Sequence, residues 1–154
     1  MRKTDKTLGK ILLEKNLISE VQLNEALQEQ KKSREFLGRI LLNKGYIKEE
    51  DLLKALAQQF NLEVATLKYH YLDINFLKNF SQTLIFDHGC IPIKQDEDLV
   101  TFAINNPLDT WTIKMAEEEA KGKKAKFVLA SKQEIGEIIS RYKEYLKREI
   151  IRGI

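Results

Sequence analysis

The chain has 154 residues, 43% hydrophobic and 32% charged, which reads as one or two compact soluble lobes and is too apolar for a disordered chain. No apolar run approaches the roughly 20 residues of a membrane-spanning helix. The charged start lacks the apolar stretch of a secretory signal, and a single cysteine, Cys90, excludes an internal disulfide and a cysteine zinc site. Lys and Arg number 26 against 23 Asp and Glu, a net charge of +3, too balanced to mark a nucleic-acid binder by itself.

The first sixty residues repeat. Shifted by 29, Leu8-Gly9-Lys10-Ile11-Leu12-Leu13 falls on Leu37-Gly38-Arg39-Ile40-Leu41-Leu42, and Lys15, Ile18, Glu20, Leu23, Ala26, Leu27 and Gln30 fall on Lys44, Ile47, Glu49, Leu52, Ala55, Leu56 and Gln59. Twelve of the 23 positions from Leu8 to Gln30 are identical, far beyond chance, so a duplicated unit is the first feature to explain.

Each unit reads as a short helix, a turn and a longer helix. Leu8, Ile11 and Leu12 keep helical spacing. Ser19 is placed as an N-cap, with Gln22 completing a capping box. Val21, Leu23, Ala26 and Leu27 give the apolar side of the longer helix. In the second unit, Gly45 reads as a left-handed C-cap, and Glu49, Glu50 and Asp51 favour the next helix start through its dipole. Lys31–Glu35 is a polar connector. A glycine inside a helix costs about 1 kcal/mol relative to alanine, so its recurrence near both helix starts implies close approach of another group. Leu23, Leu27 and Gln30 share one helical face, as do Leu52, Leu56 and Gln59.

Beyond a short extended connector at Leu62–Leu67, Asp73 begins a short helix carrying Ile74, Leu77 and Phe80. Ser81 begins another through Leu84, Ile85 and Phe86, ending at Gly89. Cys90–Lys94 and Leu99–Ile104 read as a hairpin around Gln95–Asp98. Leu108–Lys121 reads as a helix stopped by Gly122, Ala125–Ala130 as a third strand, and Ser131 as the cap of a last helix with Glu134 at its third position. That helix carries an apolar stripe of Ile135, Ile138, Ile139, Tyr142 and Leu146, with a basic end at Arg141, Lys143, Lys147, Arg148 and Arg152. The expected fold is α+β, with a helical repeat lobe over 1–62 and an α+β lobe with a small mixed three-stranded sheet over 63–154.

Catalytic signals are sparse. The seven glycines are too dispersed for a Walker A or Gly-x-Gly-x-x-Gly loop, and neither His-Glu-x-x-His nor Gly-x-Ser-x-Gly occurs. Asp87, His88 and Cys90 invite a nucleophile reading. Residues two apart point apart, however, and the simpler reading is a helix-end histidine with a buried strand cysteine. His70 is too far along the chain to join a metal set. The acid runs Asp96–Asp98 and Glu117–Glu119 read as solvated faces, and the lone Trp111 as a core residue. No enzymatic activity, metal or cofactor is expected.

The doubled pattern of Leu-Gly, apolar residues, a turn and Leu-x-x-Ala-Leu-x-x-Gln resembles the MshEN-type domain, the N-terminal domain of type II secretion and type IV pilus assembly ATPases. Thr7–Gln30 and Phe36–Gln59 match its two motifs. Leu72-Asp73, Leu77–Phe86, Ile91-Pro92-Ile93 and Asn105–Asp109 sit where that family has similar segments. The resemblance implies binding of cyclic di-GMP, each motif gripping half of the dinucleotide. Its apolar contacts carry over onto Leu8, Leu23, Leu27, Leu37, Leu52 and Leu56, its glycines onto Gly9 and Gly38, and its glutamines onto Gln30 and Gln59. The family motif opens with Arg before Leu-Gly, whereas this chain has Thr7 and Phe36. There Phe36 offers an aromatic face for guanine, while Arg39, Lys6 and Lys10 offer positive charge. The resemblance further implies a cytoplasmic regulatory module without the ATPase motor. It would contact a secretion or pilus motor in trans, or a platform protein at the inner face of the membrane. The rival expectation is a protein-docking module that has lost the nucleotide.

Overall fold

A computed structural model describes residues 6–153, which divide after Leu62 into two compact units.

The first unit is all helical. α1 (Leu8–Glu14) starts at Thr7, whose hydroxyl accepts from the Lys10 amide. α2 (Glu20–Ser33) starts from a complete capping box, Ser19 and Gln22 each accepting from the other's backbone amide. α3 (Leu37–Asn43) and α4 (Glu49–Phe60) repeat the pair.

The turns repeat as well. Asn16 and Gly45 occupy equivalent positions, with φ of 56° and 73°. In each, two amides close the preceding helix at 3.0 Å: Asn16 to the Leu13 carbonyl and Leu17 to Leu12, then Gly45 to Leu42 and Tyr46 to Leu41. Asn is among the few side chains that tolerate this left-handed backbone, so a Gly-to-Asn difference leaves the turn intact. α2 packs beside α3 and α1 beside α4. Ile11, Leu12, Ala26, Ile40, Leu41 and Ala55 are all buried between them.

The second unit is α+β. α5 (Ile74–Leu77) is capped by Asp73, whose Oδ1 accepts from the Phe76 amide. It stops before Phe80, so that expected helix is shorter than its apolar spacing suggested. The next segment is a π-helical turn, Thr83–Asp87, rather than an α-helix from Ser81. Ser81 still caps it, accepting from the Leu84 amide, while Glu119 takes Ser81's own amide and hydroxyl at 2.7 Å each.

β1 (Ile91–Gln95) and β2 (Leu99–Ile104) form the antiparallel hairpin, with a bulge between Pro92 and Lys94. Asp96 Oδ1 accepts from the Asp98 and Leu99 amides and so shapes the turn. Those two bonds hold its carboxyl below the usual carboxylate range. α6 (Thr110–Glu119) crosses to β3 (Lys124–Leu129), which pairs parallel with β2; the sheet order is β1-β2-β3. This is the expected mixed three-stranded sheet. α7 (Lys132–Arg152) follows its Ser131 cap.

Two details of α6 differ from expectation. Asn106 Oδ1 takes the Leu108 amide, and Asp109 caps the Thr112 amide, so the helix starts after Asp109 rather than at Leu108. It ends at Glu119, and both Lys121 and Gly122 take positive φ before β3. Trp111 is not a core residue: it is 68% exposed. Thr112, Ala116 and Ala120 line the buried side of α6 at four-residue intervals, and a one-residue offset turns Trp111 about 100° away from it.

Candidate binding surface on the helical repeats

The two glycines sit where the short helix meets the long one. A Cβ on Gly9 would lie 2.9 Å from Leu23 Cδ1, and one on Gly38 would lie 2.7 Å from Leu52 Cδ1. Ordinary carbon contacts begin near 3.5 Å. The structure therefore brings Gly9 to Leu23 and Gly38 to Leu52, and the leucine occupies the space a side chain would fill.

The halves are alike in backbone and unlike in exposure. Leu27 is 37% exposed while its counterpart Leu56 is 5% exposed. Leu23 and Leu37 are half-buried, whereas Leu8 and Leu52 are buried. Gln30 is half-buried, and its amide nitrogen donates to the Glu35 carbonyl at 3.1 Å, closing the end of α2 onto the connector. Gln59 is 5% exposed, and its Oε1 has no hydrogen-bond partner among the described residues. A buried unpaired amide oxygen costs about 1–3 kcal/mol, so Gln59 carries an unmet demand for a donor that Gln30 does not.

Phe36 precedes α3 and is exposed; it supplies no hydrogen bond to the first turn, whereas Thr7 caps α1. Arg39 is exposed, with its Nε 3.8 Å from Glu35. Two contacts were not legible in the motif. The Tyr46 hydroxyl donates to Glu25 Oε2 at 2.5 Å, and Lys44 Nζ meets Glu29 at 3.0 Å. Both join the end of α3 to α2, and both raise the proton affinity of their donors through the carboxylate they face. Their partners lie in α2, where Glu25 and Glu29 are four residues apart and share a face.

In the second unit, Asp87 and Cys90 do not assemble with His88. His88 Nδ1 instead faces Thr112 Oγ1 at 2.9 Å, and that hydroxyl donates to Asp109 Oδ2 at 2.7 Å. The sequence signal that could have found this contact is the Asp-x-x-Thr cap spacing of Asp109 and Thr112. Cys90 is fully buried; burial above all, then the charges of Glu119 and Asp109, pushes its thiol well above the ordinary range. Such a thiol is a poor nucleophile. Among the described residues no three His, Cys, Asp or Glu side chains group as a metal site, and no helix is long and apolar enough to cross a membrane.

A duplicated helical unit with paired Gly–Leu contacts, followed by a small α+β unit, defines the domain. The MshEN domain model matches residues 60–149, more than half of the chain, and the chain belongs to the MshEN domain family. The match lies almost wholly on the second unit. The solved structure of MshE with cdg is 28% identical, has a TM-score of 0.80, and covers 89% of this chain and 99% of that one. Two structures of the N-terminal domain of XpsE, each 18% identical, share the fold with TM-scores of 0.70 and 0.57. They cover 92% of this chain and 97% and 98% of their own. No protein of curated function matches the chain.

Proposed function

We propose that the chain is a non-catalytic regulatory module that binds cyclic di-GMP on its helical repeats and passes the bound state to a secretion or pilus motor or platform protein. The observation that carries the reading is the duplicated Gly–Leu contact. It supports two related positions for a ligand that itself consists of two equivalent halves. The similarity to MshE, whose structure holds cdg, supports the same ligand.

In this reading the exposed Leu27 and half-buried Leu23 pack on one guanine, and Leu52 and Leu56 form the apolar wall for the other. Phe36 stacks in place of the motif arginine, a contact worth about 1–3 kcal/mol per base. Arg39 and Lys10, one residue after each glycine, provide charge toward phosphate. Gln59 Oε1 accepts from a base N–H. Ligand binding shifts the population of the domain's states only by its differential affinity for them.

Calorimetric titration of cyclic di-GMP into the purified chain, with GTP and cyclic di-AMP as controls, tests this. Selective binding near 10 micromolar, about −7 kcal/mol, is expected, weakened at least several-fold by Gln30→Ala and by Gln59→Ala. No heat at millimolar ligand refutes it. A docking module without nucleotide is the second reading. It is favoured by Thr7, whose hydroxyl is spent on its own helix cap where the family has an arginine, and by the exposed Trp111.

A further inference from the structure

We propose that the last turns of α7 are a contact site for an anionic lipid surface. Ile150 and Ile151 are 68% and 71% exposed on consecutive positions of a regular helix. By helical spacing, Ile150, Lys143, Lys147 and Ile151 fall within an arc of about 100°. The opposite side of the same turns is engaged within the unit. Tyr142 is buried and packs its ring on Phe86 at 5.4 Å, and Glu149 takes Lys78 at 2.8 Å and the Tyr145 hydroxyl at 3.0 Å.

Charge selects the partner. Both acids of these turns are already paired: Glu149 with Lys78, and Glu144 with Arg148 at 3.5 Å. Lys143, Lys147 and Arg152 have no acidic partner among the described residues; Lys143 lies over the Phe86 ring, 5.1 Å from its centroid. The exposed arc therefore combines two isoleucines with uncompensated cations.

Its shape favours a bilayer over a partner helix. A helix-in-groove contact needs apolar residues at i, i+3 or i+4, and i+7. Preceding the isoleucines on this arc are Gly136, Ser140, Lys143 and Lys147, and the flanking Ile139 and Leu146 are half-buried, so the fully exposed apolar surface is confined to the tip. A tip of that kind inserts at the headgroup boundary, while lysine stems lie along the surface and keep their ammonium groups at the anionic headgroups.

Flotation of the full chain with vesicles tests this. Vesicles of phosphatidylglycerol mixed with phosphatidylethanolamine are expected to carry at least about tenfold more protein than phosphatidylcholine vesicles, since each cation near an anionic surface contributes about fivefold. Ile150→Ser with Ile151→Ser should lower the anionic partition by about tenfold. Lys143→Gln with Lys147→Gln should lower it comparably and reduce its salt dependence. Circular dichroism confirms that these exposed-site variants stay folded. No partition onto anionic vesicles at low salt overturns the proposal. So does partition that the isoleucine pair leaves unchanged, which is nonspecific charge attraction.

Discussion

Gly38→Ala measures how tightly the second half of the repeat is built. The added methyl would sit 2.7 Å from Leu52 Cδ1 and 3.1 Å from Cδ2, an overlap of roughly 1 Å against ordinary contact. Leu52 is buried at 8% exposure, so it cannot swing into solvent. Overpacking of this kind costs about 1–3 kcal/mol, offset by at most about 1 kcal/mol from alanine's helix propensity. With the full offset the expected net loss is about 0–2 kcal/mol. Gly9→Ala meets Leu23 at 2.9 Å, but Leu23 is half-buried and can turn aside; its expected loss is under about 1 kcal/mol.

The decisive arm is the background. Leu52→Ala alone should cost about 2–5 kcal/mol, and with that side chain gone Gly38→Ala should become neutral or stabilising. Guanidinium unfolding followed by far-UV circular dichroism reads all four corners of the cycle. If Gly38→Ala costs the same with and without Leu52, the glycine is not there for that contact, and the equivalence drawn between the two halves fails.

Two further outcomes follow from single residues. Burial first, and the nearby Arg141 charge second, lower the pKa of His70 below its ordinary value near 6.5. As pH falls below that value the unfolded chain takes the proton before the folded one does, so stability is full above it and is lost down toward the folded pKa; His70→Gln should flatten this slope in unfolding midpoints taken at a series of pH values. Trp111, the only tryptophan, should emit as an indole in water, quench readily with acrylamide and barely shift on unfolding. A blue-shifted, protected emission would contradict its exposed position on α6.

Much of this molecule was legible because it is local. The capping box at Ser19, the glycine turn and the span of β2 are each decided within a few residues, and the structure has them where the pattern put them; Ser131 caps α7 as expected, but the Glu134 carboxylate takes the Leu67 amide instead of closing the box. What failed was decided at a distance or by one turn of phase. Phe80 has helical spacing from Ile74 and Leu77, yet it leaves the helix to meet Phe102 edge-on at 5.6 Å. Residue type alone puts Trp111 in the core, whereas its phase on α6, set by the Asp109 cap, puts it outside. In the candidate site, the Gly–Leu contacts were implied by the cost of helical glycine. The unequal burial of Leu27 and Leu56 was not, because identity at a position does not report what surrounds it.

That inequality has a source in the residues that did not repeat. Asn24 and Gln28 of α2 become Leu53 and Ala57 in α4. α2 thus buries only Ala26, while α4 buries Leu52, Leu53, Ala55, Leu56, Gln59 and Phe60. A ligand with identical halves would therefore meet an open, water-facing position on α2 and a closed, apolar one on α4, where a buried Gln59 oxygen still lacks a donor. Under the cyclic di-GMP reading the two ends of the ligand are not bound alike. The α4 half gains most from filling an unmet hydrogen bond, and the α2 half must first compete with the Glu35 carbonyl for the Gln30 amide. Gln59→Ala should then weaken binding more than Gln30→Ala, and equal losses would return the two halves to the symmetry that their sequences suggest.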